Sequence, residues 1–365
     1  MTAPWHRARR ILCVRLDSLG DVLMCTPAMR ALRQAVPGRT LTLLGSPSGA
    51  AALPFVPELD DAIAWSAPWT KSAKPAATGA AAPAPIATLA ARAFDAAVIF
   101  TTYTQSALPA ALLCQLAGIP LRLAHCRENP YDLLSDWVPD PEPVTLVRHE
   151  VQRQVALVQR VGCRSAGLGL SFVPRPADVT AARARLAAAG VDPDRPWILL
   201  HPGASAASRR YPAAHWAHVL RLLAQELHLP LVLTGSAEES ELVDGIQFAS
   251  AVPAISLAGR LALGELGAAL RLATVAVTNN TGPAHMAAAV GTPVVDLYAL
   301  TNPQHTPWNV RSRVLFHDVP CRFCYKSTCP EGHQACLAGI EPRRVVDAVR
   351  ALLDAARATP AAVAT

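Results

Sequence analysis

Short, nearly all-apolar runs alternate with helix-length segments along most of this chain, and no other feature constrains the fold as strongly. The runs read as strands at 11–16, 40–45, 96–101, 197–201, 231–235, 254–258, 275–278 and 294–298, with helical segments at 22–35, 106–117, 147–161, 214–227 and 263–272 between them. A strand without polar alternation needs cover on both faces, and strand–helix–strand connections supply it by burying a parallel sheet. The chain is therefore expected to be α/β. The alternation runs twice. A first set ends near Gly162, the stretch GLGLSFVPRPADVT breaks the pattern, and a second set begins at Trp197. The VPRP run at 173–176 cannot continue a helix and reads as a connection. Two doubly wound domains are expected, 1–175 and 176–340. An amphipathic helix at 342–358 within a terminal segment 341–365 is expected to pack back on the first domain. In such sheets ligands bind beyond the carboxyl ends of the strands, so two domains facing a central cleft would bind there.

Hydrophobic residues make up 52% of the chain and charged residues 16%, which supports large cores and argues against extended disorder. The formal charge of +6 suits acidic small molecules or an anionic membrane surface, and no nucleic-acid-binding motif accompanies it. Near the N-terminus the apolar run ILCV is interrupted by Arg15 and Asp17, too early for an export signal. No run approaches the ~18 apolar residues of a membrane-spanning helix. A cytoplasmic protein is expected.

Three segments carry chemistry. The first, Arg15-Leu-Asp-Ser-Leu-Gly-Asp21, joins the first strand to the first helix, with Gly20 allowing a tight turn and Asp21 near the helix start. Asp21 suits two roles there, a helix cap or a general base at a strand end. No G-x-G-x-x-G follows the strand, which argues against a dinucleotide fingerprint. The second runs from His201 through Pro202, Gly203, Ala204 and Ser205 to Arg209, Arg210, Tyr211 and Pro212. A glycine-containing turn with adjacent guanidinium groups reads as an anion site, or else as a solvated basic loop. The third is Thr278-Asn-Asn280-Thr281-Gly282-Pro-Ala-His285. Thr281 or Asn280 can cap a helix opened by Pro283, whose positive end suits a diphosphate, with His285 one turn in.

In order and spacing these segments resemble glycosyltransferase family 9, the ADP-heptose:lipopolysaccharide heptosyltransferases. The resemblance extends over RLDSLGDVLMCTPAMRALRQAVPG, HPGASAASRRYPAAHW, LVLTGSAEES, SLAGRLALGELGAALRLA and VTNNTGPAHMAAAVGTPVV. It implies the GT-B fold, two Rossmann-like domains with the acceptor mainly on the first and the nucleotide-diphosphate sugar mainly on the second. It implies an inverting transfer that needs no metal for catalysis. By this resemblance Asp21 stands at the position of the family's catalytic base. Arg209 stands where a donor-phosphate lysine is usual, while Thr281, Gly282 and His285 match the phosphate-binding turn. Asn280 departs from the aspartate common there. Gly203 and Ser205 join the candidate donor site, and Arg15, Lys71 and Lys74 are candidate acceptor-binding cations. The two lysines fall in 67–88, a stretch poor in large apolar groups that reads as a surface loop or an acceptor flap. A lipopolysaccharide or related glycan acceptor implies at most peripheral contact with the inner membrane. A protein acceptor, a hydrolysing nucleotide-sugar epimerase and a non-catalytic nucleotide-sugar-binding protein are the alternatives.

Five cysteines, Cys13, Cys25, Cys114, Cys126 and Cys163, are scattered singly among apolar residues and read as reduced, buried thiols. The other four, Cys321, Cys324, Cys329 and Cys336, follow a C-x2-C-x4-C-x6-C spacing with His333 among them. They can form a structural zinc or iron site or remain thiols packed in a loop.

Overall fold

The computed structural model describes residues 3–70, 85–164 and 167–358. The chain divides into two compact units, Met1–Phe172 and Val173–Thr365. The first contains β1 (Arg10–Arg15), β2 (Thr40–Gly45), β3 (Asp61–Ala64), β4 (Ala96–Ile99), β5 (Leu121–Cys126) and β6 (Asp136–Pro139). The second contains β7 (Ile198–His201), β8 (Leu231–Leu233), β9 (Ile255–Ser256), β10 (Val275–Asn279), β11 (Val294–Leu297) and β12 (Ser312–Leu315). Every pairing is parallel.

The strand orders are β3-β2-β1-β4-β5-β6 and β12-β11-β10-β7-β8-β9. Counted within its own unit each is 3-2-1-4-5-6, the doubly wound order in which the winding reverses between the first and fourth strands. In β1 and β2 every residue after the first is buried, and β4, β7, β10 and β11 are buried throughout. These strands were visible as apolar runs for that reason. β3 is only half-buried, β5 carries Arg122 and His125, β6 has four residues ending in proline, and β12 is an edge strand of mixed exposure. None of the four offers a continuous apolar run, and none was expected from sequence.

Helices Leu19–Ala35 and Glu150–Gln159 pack against one another in the first unit. The helix Pro176–Ala188 was not expected, because the prolines at 174 and 176 read only as a break. Pro176 occupies the first helical position, where its missing N–H has no intrahelical partner to lose. Helix Pro342–Ala358 buries Val345, Val346, Val349 and Leu352 in the second unit's core beside Trp216 and Leu220. No helix among the described residues is long and apolar enough to cross a membrane.

Candidate active site

At the carboxyl end of β1, Arg15 is the organising side chain. It is fully buried, and its guanidinium reaches three carboxylates: Nη1 lies 2.8 Å from Glu150 Oε1, Nη2 3.1 Å from Asp21 Oδ1, and Nε 3.1 Å from Asp17 Oδ2. Burial works against its charge, but Asp17, Glu150 and Asp21 together drive its pKa well above the ordinary range. Arg15 is thus not available to an acceptor, contrary to the expectation from sequence. An arginine so placed holds its neighbours in position, because its planar fork fixes the direction of each partner.

The helix begins at Leu19, so Gly20 lies inside its first turn and Ser18 is the capping residue. Asp21 is the third helical residue. Its Oδ2 accepts from the Ser18 backbone N–H at 3.1 Å and from the Ser18 hydroxyl at 2.6 Å, while Oδ1 faces Arg15. The capping and functional readings of Asp21 are therefore compatible: the carboxylate caps the helix and is also aimed by a buried cation. Its side chain is 18% exposed, enough for a small group to reach it. Asp17, 21% exposed, accepts from Gln105 Nε2 at 2.8 Å. Burial raises the Asp17 pKa, with Arg15 opposing and Asp21 adding to the rise. Glu150 also accepts from Gln154 Nε2 at 2.8 Å, and that amide bonds the Thr101 carbonyl as well. Asp17, Gln105 and Glu150 were not singled out from sequence. Glu150 is 135 residues from Arg15 and reads in isolation as a charge in a helix's first turn.

The second unit places its polar groups at the ends of β7, β10 and β11. His201 pairs in register with Thr278, and Thr278 with Asp296, so these side chains form one row on one sheet face. His201 Nδ1 lies 3.0 Å from Thr234 Oγ1, and burial lowers the histidine's pKa. Asn279, fully buried, donates to the carbonyls of Pro202 at 2.7 Å and Gly203 at 3.2 Å, and accepts from the Tyr211 N–H at 3.2 Å. This amide fixes the loop after β7 on the end of β10. Arg209 closes a short 3-10 turn, Ala207–Arg209, and its Nη1 lies 3.5 Å from the Asn280 carbonyl. Asn280 Oδ1 accepts from the Ala299 N–H at 3.1 Å. Thr281 stands at the N-cap position of the helix Gly282–Val290 without a side-chain capping bond, Gly282 is its first residue, and His285 lies buried in its first turn. A Cβ on Gly282 would meet nothing within 4 Å, so there is open space beside the helix start.

Gly203 is buried and Ser205 exposed. A Cβ at 203 would sit 2.1 Å from the Glu239 carboxyl, so glycine is required for that carboxylate to lie against the loop. Glu239 belongs to GSAEES, where Ser236 N–H donates to its Oε2 at 2.9 Å, and His201 Nε2 lies 3.8 Å away. Sequence showed Glu239 only within a longer resemblance. Asp296 was missed altogether, because it lies inside the strand-like run PVVDLYA. It is completely buried, neither carboxyl oxygen has a hydrogen-bond partner among the described residues, and burial pushes its pKa well above the usual range while Arg209 pulls the other way.

Cys321, Cys324, Cys329 and Cys336 line one cavity of about 20 Å³ together with Ser208 and His333. The four sulfurs share that space, yet among the described residues no group of three or more His, Cys, Asp or Glu is drawn together tightly enough to hold an ion. The five single cysteines are buried, and burial pushes the Cys13 and Cys114 thiols up to about 12. Lys71 and Lys74 lie outside the described residues.

Comparison with known proteins agrees with this architecture. The family model of glycosyltransferase family 9 (heptosyltransferase) matches residues 86–335. Lipopolysaccharide heptosyltransferase 1 of Pseudomonas aeruginosa is 29% identical over 184 residues, 45% of this chain and 50% of that one, so the chain spans half the length of that relative. Lipopolysaccharide heptosyltransferase 2 of Escherichia coli is 29% identical over 257 residues, 67% of this chain and 72% of that one. The solved structure of E. coli ADP-heptose lipopolysaccharide heptosyltransferase II superposes with a TM-score of 0.72 at 25% identity, covering 96% of this chain and 100% of that one. A family 9 glycosyltransferase structure from Veillonella parvula superposes at 0.76 with 20% identity, covering 97% and 99%. The two Rossmann-like units are those of the GT-B fold. With more than half its length matched by the family model, the chain belongs to glycosyltransferase family 9, the heptosyltransferase family.

Proposed function

We propose that this chain transfers heptose from ADP-heptose to a lipopolysaccharide core or related glycan, with inversion at the anomeric carbon. The observation that carries this reading is the occurrence, at strand ends of two identically wound units, of complementary chemistry. One unit holds a carboxylate aimed by a buried arginine, and the other holds an arginine beside a helix start. The relatives' names supply the sugar and acceptor classes. In this reading the first unit takes the acceptor and the second the donor.

Asp21 accepts the proton of the acceptor hydroxyl as that oxygen attacks the anomeric carbon and the bond to the diphosphate breaks. Arg15 and Ser18 hold the carboxylate in place for that step. The departing diphosphate gathers negative charge, which Arg209, the Thr281–Gly282 backbone and His285 stabilise. Preorganised donors aimed at developing charge are among the largest contributors to catalysis. Gly203 and Ser205 line the same loop, and Asn280 contributes an amide rather than a charge. Lys71 and Lys74 remain candidates for acceptor anions. The reaction is cytoplasmic in this reading, with peripheral contact to the inner membrane where a lipid-linked acceptor lies.

The test is calorimetric binding of ADP, UDP and GDP, followed by transfer from ADP-heptose to heptose-deficient lipopolysaccharide. Preference for ADP with transfer supports the reading. Preference for UDP or GDP overturns heptose, and donor breakdown without an acceptor favours the epimerase alternative.

The cysteine cavity is proposed to hold one structural zinc or iron ion. The four thiols line one space of about 20 Å³ but stand too far apart to ligate as they are, so binding a single soft ion would draw them inward and leave no open position for substrate. The ion's contribution would be to fold the 321–336 loop. Gently purified protein without stoichiometric metal, and with four titratable thiols in that loop, would defeat this assignment.

A further inference from the structure

Arg209 sits on a short turn that makes few hydrogen bonds of its own. Within the turn only two backbone bonds form, Arg209 N–H to the Ala206 carbonyl at 3.0 Å and Arg210 N–H to the Ala207 carbonyl at 3.2 Å. Three further hydrogen bonds join the turn to the cysteine-rich loop. Ser208 N–H donates to the Ser327 carbonyl at 3.0 Å, and the Ser208 hydroxyl to the Lys326 carbonyl at 2.8 Å. Gln334 Nε2 donates to the Ala207 carbonyl at 2.9 Å. Ser208 is 3% exposed and lines the same cavity as the four thiols.

The loop is itself fastened to the chain beyond β11. Phe323 N–H donates to the Leu300 carbonyl at 2.6 Å and Tyr325 N–H to the Thr301 carbonyl at 2.8 Å. Phe323, Tyr325 and Gln334 all adopt left-handed backbone conformations, with φ of 61°, 55° and 46°. Non-glycine residues keep that conformation only where surrounding contacts enforce it. The loop therefore has a specific shape, and the Ala207–Arg209 turn is built onto it.

We propose that the cysteine-rich loop is a latch on Arg209, with Ser208 and Gln334 as positioning residues for donor binding. The proposal rests on the reading of Arg209 as a donor-phosphate ligand. It gives the cysteine loop a task beyond stability: conditions that reshape the loop change donor affinity through Arg209, although the thiols need not touch the donor.

A double-mutant cycle read by ADP calorimetry on the full chain tests this. Ser208→Ala and Gln334→Ala are each expected to weaken ADP binding by about 3- to 10-fold, the loss typical of one hydrogen bond. Ser208→Thr, which keeps the hydroxyl, should recover most of that loss. In an Arg209→Ala background, Ser208→Ala should add less than about twofold, because coupled residues are not additive. Gln334 lies at the surface end of the latch, so Gln334→Ala keeps the test usable if Ser208→Ala does not fold. Wild-type ADP affinity in both single variants overturns the latch. So does a Ser208→Ala penalty undiminished by Arg209→Ala. If Arg209→Ala itself binds ADP normally, the donor assignment of Arg209 falls and the latch with it, a result distinct from silent latch variants beside a weakened Arg209→Ala.

Discussion

The two units wind their strands in the same order but place opposite charge at the point where the winding reverses. At the end of β1 a buried cation, Arg15, gathers three carboxylates, leaving an excess of negative charge. In the second unit the buried ionisable group is a carboxyl, Asp296, whose burial favours the neutral form, and the cation Arg209 is better exposed. Topology determines where functional groups can stand, and the side chains at that place determine which chemistry they perform. An electronegative end suits proton removal from a hydroxyl. A cationic end beside a helix start suits a diphosphate. The sharpest ways to break this comparison attack each unit's central charge.

The largest effect is expected from Arg15→Ala. Removing one partner of a buried ion pair typically costs about 3–5 kcal/mol, and here it leaves three carboxylates without their common partner. Chemical unfolding should show the loss, and Arg15→Lys should recover only part of it because an ammonium cannot reach three directions at once. Unchanged stability in Arg15→Ala would mean that the carboxylates are held by something other than Arg15.

Asp21→Ala should follow, with turnover falling by roughly 10²–10⁴-fold and ADP affinity unchanged. Loss of the bonds to Ser18 also removes a helix cap, at about 1 kcal/mol. Asp21→Asn separates the effects, since an amide can still accept from the Ser18 N–H but cannot take a proton. A variant that caps well and turns over slowly supports the base role. Near-normal turnover in Asp21→Asn would remove Asp21 from it. Arg209→Ala should act on the other side of the reaction. A hydrogen bond to a charged group is worth about 1.5–3 kcal/mol, so ADP should bind roughly 10- to 100-fold more weakly while the fold persists. Equal loss of ADP affinity in the Asp21 and Arg209 variants would erase the distinction between the two units.

How far these features were legible in the sequence follows from the range of the forces involved. Strands buried on both faces announce themselves as apolar runs, and helix Leu263–Leu272 was bounded correctly because local patterning determines it. Edge strands such as β3 and β12 need neighbours to pair with, and their sequences show little by themselves. The places of Asp21, Arg209 and the Thr281–Gly282 turn were legible because the signal is local, a strand end followed by a turn and a helix start. Arg15 was misassigned to the acceptor because its partner Glu150 lies far along the chain and only the folded helix pair brings them together. Ser208 and Gln334 escaped notice for the same reason, being 126 positions apart and joined through a loop whose cysteines drew attention to metal binding instead.

Asp296 carries the smallest predicted effect and the one that tests the second unit most directly. An ordinary aspartate titrates near 3.8, and burial raises this one well above that value when the chain is folded. Above about pH 4 the folded chain therefore holds a proton that the unfolded chain has released. The contribution of Asp296 to stability then falls as pH rises through the interval between the two pKa values. Asp17 is also raised and contributes with the same sign. Asp296→Asn removes this one contribution, so its thermal midpoint should decline less between pH 5 and pH 9 than that of the unaltered chain, while Asp17 and the buried histidines keep it from being flat. Parallel declines would show that Asp296 is already ionised when folded, paired to Arg209. The second unit would then hold its arginine much as the first holds Asp21, through a buried ion pair, and the contrast between the two units would reduce to which member of the pair faces the substrate.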